Sequence, residues 1–395
     1  MHVLAIGGGG DMGRASLRVV CDFPEVERVT VADIDPASAT TTATALGAKA
    51  RTLQLDVLDA DAIAQAMRNA DIVINTSGPF FRYGLVIFKA SIDAGKPYFD
   101  ICNDPEPTLG MLTHDRAARE NGVLAIIGLG ATPGITNMLA VKAYQQLSQV
   151  ERLYTCWNVD GKTAEAEFAY DHPRASAAYM HWIQQITGDV SVYEYGVRTN
   201  AKPLAPIPIR YPGRGKREGY RCGHPEAVTL GRKYPELAEA PNLMLLGPEL
   251  HAFLSVLARK VDSGKLDVEQ AAGYLSRRDS SILDMDSKLK ILFSKLKTRR
   301  EMPELFAIAE GKKDGKACTA AAALTAYPDY SVAELAGISL AAGLRLFLDG
   351  KCRDTGVHTP ESILDPDDFF RELLPYCRVP APLESIDELV EISIK

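Results

Sequence analysis

Long apolar runs are missing from this 395-residue chain. The longest stretch of small and apolar residues, Ala317 to Tyr327, is too short to span a bilayer, so no membrane partner is expected. Cysteine is neither frequent nor paired. Cys21, Cys102, Cys156, Cys222, Cys318, Cys352 and Cys377 are odd in number, widely scattered and without a C-x-x-C, which excludes a disulfide framework and a zinc site. The seven histidines form no ligand pair at helical spacing, so no metal is expected. Positive charge is not in excess either: a net charge of −7 argues against nucleic acid as a partner. No internal repeat or low-complexity segment is visible. The first apolar run begins at His2 and leaves no room for a signal peptide, so a cytoplasmic location is expected. What remains is an ordinary globular composition, 46% apolar and 24% charged, in a chain long enough for two or three domains.

Against these absences one stretch stands out. His2 to Ile6 is a short apolar run that breaks into Gly7-Gly8-Gly9-Gly10-Asp11-Met12-Gly13-Arg14. Only Gly8, Gly10 and Gly13 satisfy all three positions of a G-x-G-x-x-G fingerprint. That pattern is weak alone and gains force from its surroundings: a strand before it, a helix after it, and Asp33 at the end of a second apolar run, 20 residues past Gly13. In a dinucleotide site Gly8 permits the turn, Gly10 lets the pyrophosphate approach the backbone, and Gly13 lets the helix pack closely on the strand. The helix start at Asp11 and Met12 turns free N–H groups toward the phosphates. Asp33 can accept hydrogen bonds from both ribose hydroxyls and would repel a 2'-phosphate. With Ile34 next to it, where a basic residue often serves a 2'-phosphate, the expected cofactor is NAD, NADP being less favoured.

Alternation of strands and helices continues. Asp35 and Pro36 open a helix that Gly47 stops; a strand ends on Asp56; Asp59 caps the next helix; and Asp71 to Asn75 is a fourth strand. Thr76-Ser77-Gly78-Pro79 follows it as a loop that should border the nicotinamide half of the cofactor. A helix from Tyr83 to Ala94, a strand at Pro97 to Ile101, a helix from Pro105 to Asn121 and a strand at Val123 to Ile127 complete a doubly wound parallel sheet over residues 1–130. Gly128 to Gly134 is a glycine- and proline-rich turn feeding a helix at Ile135, and Gly130, Thr132 and Pro133, with Asp56 and Asn75 at the strand ends, are further candidate cofactor contacts.

Residues 131–345 read as a second α/β domain with a mixed sheet. Its strands are expected at Leu153 to Val159, Val190 to Tyr195, Ala227 to Leu230, Asn242 to Leu246, Leu305 to Glu310 and Ala317 to Tyr327. The segment Lys202 to Arg221 has no clear period and reads as an ordered excursion or lid. Helices are expected at Pro248 to Lys260, Asp267 to Ser276 and Ser287 to Leu296. Ser331 to Glu334 is a capping box that opens a long helix, and residues 346–395 form a C-terminal segment expected to pack back on the first domain.

Several pieces together resemble the saccharopine dehydrogenase family, which includes lysine 6-dehydrogenases and carboxynorspermidine dehydrogenases. They are Val3 to Gly13 with Asp33, Asp71 to Pro79, Ala94 to Asp100, Gly130 to Ala140 with its G-x-x-P-G-x-x-N turn, Gly223 to Leu230, and Gly356 to Glu361 with Asp365 to Phe369. The resemblance implies a Rossmann domain, a second α/β domain for substrate binding and dimerisation, returning C-terminal helices, a homodimer, and NAD(P)-linked hydride transfer at a carbon bonded to nitrogen. The substrate would be a small amine or amino acid.

Such an oxidation needs a base near the reacting carbon. Tyr98 and Asp100 at the end of the fifth strand and His224 in the second domain are the candidates, with Asp104, Arg174, Arg221 and Glu226 as candidate substrate contacts. An arginine could clamp a substrate carboxylate bidentately. Two other activities stay open at this point. Ser77 to Phe80 also resembles the trans-acting enoyl reductase branch, in which hydride goes to an activated C=C, and a non-catalytic NAD-binding protein is the third reading.

Overall fold

The computed structural model describes residues 1–160, 177–285, 288, 291, 301–329 and 331–395. The chain forms two compact units, Met1–Met138 with Ala326–Leu389, and Leu139–Thr325 with Val390–Lys395.

In the first unit strands and helices alternate as β1 (His2–Ile6), α1 (Asp11–Val20), β2 (Arg28–Asp33), α2 (Pro36–Leu46), β3 (Ala50–Gln54), α3 (Ala60–Arg68), β4 (Ile72–Asn75), α4 (Phe80–Asp93), β5 (Tyr98–Asp100), α5 (Pro105–Leu112), α6 (Asp115–Glu120) and β6 (Leu124–Ile126). The helix α7 (Ile135–Tyr144) straddles the division between the units. All neighbouring strands are parallel, in the order β15-β6-β5-β4-β1-β2-β3, where β15 is Gly356–His358. This is the expected doubly wound sheet. Its central strands are buried throughout, as strands covered on both faces must be. The order reverses at β1, so the crevice outside the carboxyl ends of β1 and β4 is where such a sheet receives a ligand.

Local chemistry sets the helix ends that the sequence anticipates. Asp35 and Asp59 accept hydrogen bonds from the first-turn N–H groups of α2 and α3, and Gly47 ends α2 at φ +80°. Two expectations shift. The helix expected from Tyr83 starts at Phe80, because a carboxylate from outside the segment, Asp104, accepts from Phe81 N at 3.0 Å. The helix expected over Pro105 to Asn121 breaks into α5 and α6 at Thr113-His114, where the Thr113 hydroxyl donates to Gly110 O.

The second unit holds β7 (Gln149–Asn158), α8 (Ala177–Gln185), β8 (Val190–Glu194), β9 (Val197–Ala201), β10 (Pro206–Tyr211), β11 (Gly215–Arg221), α9 (Glu226–Lys233), β12 (Asn242–Leu245), α10 (Pro248–Asp262), α11 (Val268–Ser276), β13 (Leu305–Lys313) and β14 (Lys316–Leu324). Its mixed sheet runs β10-β11-β12-β7-β13-β14-β16, with β16 at Val390–Ile394, and β8-β9 is a separate hairpin. One side of the sheet packs against Tyr179, Trp182, Ile183, Leu254 and Leu275 from α8, α10 and α11. The strand expected at Ala227 to Leu230 is instead part of α9. All of Glu226 to Gly231 is buried, and a short apolar run carries no periodicity that separates a buried strand from a buried helix. The segment Lys202 to Arg221 contains a regular antiparallel hairpin, Pro206 opposite Tyr220 and Tyr211 opposite Gly215. Most of the helix expected at Ser287 to Leu296 falls outside the described residues.

The unit limits differ from the expected 130 and 345 at both ends. The helix α12 (Val332–Leu348) counts with the first unit because its small residues seat on α1: a Cβ on Gly337 would lie 2.6 Å from Met12 O. The helices α13 (Pro360–Ile363), α14 (Pro366–Leu373) and α15 (Ile386–Leu389) stay with it, while β16 pairs antiparallel with β14 in the second unit.

Candidate functional site

The turn after β1 is held by the sheet itself, since Gly7 N donates to Ala32 O at 2.8 Å. The left-handed conformation that the tight turn needs falls on Gly7, at φ +75°, and not on Gly8. A Cβ on Gly13 would lie 2.6 Å from Gly7 O, so any side chain there would push α1 off the turn. Gly10 is open, the nearest atom to its would-be Cβ being Gly7 O at 3.4 Å. It is the N-cap of α1 and no side chain caps that end, which leaves the N–H groups of the first turn, Asp11 to Gly13, facing outward. Asp33, half-buried at the end of β2, closes over the turn: Oδ2 accepts from Gly9 N at 3.1 Å and Oδ1 from Asp35 N at 3.1 Å. Two of its lone-pair sites are thus used and two are open. An uncapped helix start, a cradle that a Cβ would fill and an acid with spare acceptors fit the pyrophosphate and ribose of a dinucleotide.

Two side chains beside this cradle carry no motif signal. Ile34 and Leu58 are 65% and 62% exposed, large aliphatics directly after the strand-end segments that carry Asp33 and Asp56. Asp56 is itself exposed, and its Oδ1 accepts from Leu58 N at 2.9 Å. Ile34 entered the sequence reading only as a residue that is not basic, and Leu58 not at all. Exposure of an aliphatic at a strand end, the signal that marks them, is a structural quantity.

The loop after β4 is tied to the glycine turn by Thr76, whose hydroxyl donates to Gly7 O at 3.0 Å. Behind it lies a buried chain of side chains. Asn75 Oδ1 accepts from Ser77 N, Asn75 Nδ2 donates to Tyr98 Oη at 2.8 Å, and Tyr98 Oη donates to Asp100 Oδ2 at 2.9 Å. Asp100 Oδ1 accepts from Cys102 N at 3.0 Å and Gly128 N at 2.8 Å. Asn75, Tyr98 and Asp100 are all 0% exposed. Burial drives the Asp100 carboxyl up to about 6 against the pull of its two N–H donors and the Tyr98 hydroxyl. It also drives the Tyr98 phenol well above its ordinary value, with the Asp100 charge adding to the rise. The structure therefore joins three expected site residues into one network that fixes the loops after β4, β5 and β6. Asp104, 4% exposed, serves the start of α4 through Phe81 N.

The turn Gly128 to Gly134 closes on itself, with Ile135 N donating to Gly130 O at 3.1 Å, and leaves Thr132 half-buried at its apex. Gly78-Pro79 and Thr132-Pro133 are cis peptides.

The second unit has a polar cluster of its own. His224 Nδ1 lies 3.0 Å from Glu226 Oε2, with the two residues 2% and 0% exposed. A carboxylate facing Nδ1 assigns the proton to that nitrogen and leaves the lone pair on Nε2. Asn242 Nδ2 donates to Glu226 Oε1 at 3.1 Å and to Thr155 Oγ1 at 2.9 Å, while Asn242 Oδ1 accepts from Trp157 Nε1 and from Cys222 Sγ. The Trp157 ring lies 5.7 Å from that of His224. Arg221 is engaged within the unit, Nη2 donating to Glu194 Oε1. Arg174 lies outside the described residues. No group of side chains suited to a metal ion occurs among the described residues.

Residues 3–126 match the family model described as the saccharopine dehydrogenase NADP binding domain. Among solved structures the chain is similar to an apo saccharopine dehydrogenase (L-Glu forming) from Saccharomyces cerevisiae, with TM-score 0.62 and 17% identity over 95% of this chain and 97% of that one. At that identity the likeness establishes the fold. GenD2 from gentamicin A biosynthesis, solved in complex with NAD, aligns at 13% identity over 95% of this chain and 92% of that chain, and its TM-score of 0.40 carries no argument. The matched residues carry β1 to β6 of the parallel sheet. Among the described residues no helix is long and apolar enough to cross a membrane.

Proposed function

We propose that the protein belongs to the saccharopine dehydrogenase family and is an NAD-dependent oxidoreductase transferring hydride at a C–N bond of an amino acid or polyamine. The observation that carries the cofactor reading is Asp33, held at the edge of the glycine turn by Gly9 N with acceptor capacity left for the ribose hydroxyls. A 2'-phosphate would meet that carboxylate directly, which favours NAD over NADP. The C–N assignment comes from the family, whose solved relative is named a saccharopine dehydrogenase.

NAD, when bound, supplies the hydride acceptor. The chain's own residues divide the remaining work. The first-turn N–H groups of α1 and the bare backbone at Gly10 would hold the pyrophosphate, and the exposed Ile34 and Leu58 would offer the adenine an apolar surface. Tyr98 and Asp100 are positioning residues. Both are buried, and Asp100 spends its oxygens on Cys102 N, Gly128 N and the Tyr98 hydroxyl. Within the second unit His224, with Nδ1 held by the Glu226 carboxylate, is the candidate base. The active assembly is a homodimer, the form that the family resemblance implies.

The test is NADH formation across a panel of amino acids and diamines, beside NADH consumption with 2-oxo acid and amine pairs. Deuteride from labelled NADH should appear on a carbon attached to nitrogen. Silence in both directions sinks the assignment, and turnover of an enoyl substrate alone would replace it with C=C reduction.

A further inference from the structure

The turn from Gly128 to Gly134 is gripped at both ends by buried acids that are remote in sequence. At its start Gly128 N donates to Asp100 Oδ1 and Leu129 N to Asp100 O. At its end Gly134 N donates to Asn137 Oδ1 at 2.8 Å, and Asn137 Nδ2 donates to Glu361 Oε2 at 2.7 Å across 224 residues of chain. Asn137 is 0% and Glu361 3% exposed. A carboxylate is not taken out of water without return, and the return here is a fixed orientation for the Asn137 amide. With Glu361 accepting, Nδ2 must face α13 and Oδ1 must face Gly134 N. The amide therefore cannot flip, and the turn that ends in Gly134 cannot swing.

The position of the turn gives this rigidity a purpose. It follows β6, which lies with β5 and β4 on one side of β1, whereas Asp33 ends β2 on the other side. A dinucleotide whose ribose is held at Asp33 crosses the switch point and brings its nicotinamide half to the β4–β6 side. We propose that Glu361, acting through Asn137, is a positioning residue that holds the Gly130-to-Gly134 turn in place for the nicotinamide half of the dinucleotide. This rests on the dinucleotide reading of the first unit and is independent of the substrate.

Two ligands separate this role from general stabilisation. NADH carries the nicotinamide, and ADP-ribose offers the same adenosine and pyrophosphate without it. Glu361→Ala should weaken NADH on the order of tenfold, as expected for an orphaned buried donor, and leave ADP-ribose within about twofold, by calorimetry on the full chain. Asn137→Asp keeps the acceptor for Gly134 N but sets a second carboxylate against Glu361, and should lose NADH similarly. Adding Glu361→Gln to Asn137→Asp restores the bond with its polarity reversed, amide on residue 361 and carboxylate on residue 137, and should recover most of the NADH affinity. If Glu361→Ala does not fold, the Asn137→Asp pair decides the matter. Equal losses for NADH and ADP-ribose, or no recovery in the double variant, overturn the inference. A wild-type protein that binds neither ligand overturns the dinucleotide reading and this inference with it.

Discussion

The buried polar networks of the two units are built on different logic. In the first unit Asp100 and Asn75 take much of their bonding from main-chain N–H groups, those of Cys102, Gly128 and Ser77. In the second unit the bonds that hold Glu226 and Asn242 are between side chains, to His224, Thr155, Trp157 and Cys222. A backbone N–H only donates, so the bonds that hold the loops in the first network keep one polarity. An imidazole exchanges donor for acceptor by moving a proton between its nitrogens, so the second can be re-paired. The first suits a scaffold that must hold loops still, the second a group that must change its protonation state.

Several substitutions sharpen or break this contrast. Asp100→Ala orphans two buried N–H groups and a phenol, and should cost about 4 kcal/mol in chemical denaturation, at roughly 1–3 kcal/mol per unmade bond. A loss below about 1 kcal/mol would mean that the network is dispensable. His224→Gln should lower kcat about a hundredfold while leaving NADH affinity unchanged, the scale expected for removing a general base. Glu226→Gln should be milder for stability, about 1 kcal/mol, because His224 can switch tautomer and accept from the new amide. That switch puts the proton on Nε2, so turnover should still fall; unaltered turnover would remove His224 from the mechanism. Asp33→Ala should weaken NAD by about tenfold and NADP much less, by titration of nucleotide fluorescence. Equal loss for both would deny Asp33 its ribose.

A pH dependence sets the two networks apart as well. The Asp100 carboxyl stands at about 6 in the fold against an ordinary 3.8, so folding favours its protonated form. That contribution is fully present below the ordinary value and is lost as pH rises through about 6. Wild-type protein should therefore lose stability between about pH 4 and pH 6.5 relative to Asp100→Asn, measured as urea midpoints across the range. Parallel curves would place no titration at Asp100.

Much of the first unit is legible in the sequence because its signals are local. A capping Asp35, a Pro36 and a Gly47 lie within one helix, and Gly7 to Gly13 with Asp33 lie within one βαβ unit. What escaped are bonds closed over distance. The start of α4 depends on Asp104, and the partner of Asn137 is Glu361, which no spacing rule connects to it. The α9 segment failed for another reason, being buried all round and so stripped of period. Asp100 and His224 could be singled out as titratable residues near strand ends and turns, but whether each faces solvent or a buried partner is decided by neighbours distant in sequence, Gly128 in one case and Trp157 in the other.

The path of the chain bears on how the molecule is made. Both sheets are finished late: β15 adds the seventh strand of the parallel sheet at residue 356, and β16 adds the seventh of the mixed sheet at residue 390. While a ribosome is still short of those codons, β6 and β14 are open edges, and β14 carries four consecutive alanines with little to discourage pairing with a neighbouring nascent chain. The parallel sheet is thus closed before the mixed one, and a premature stop after Leu389 would release a protein with its parallel sheet complete and its other sheet unsealed.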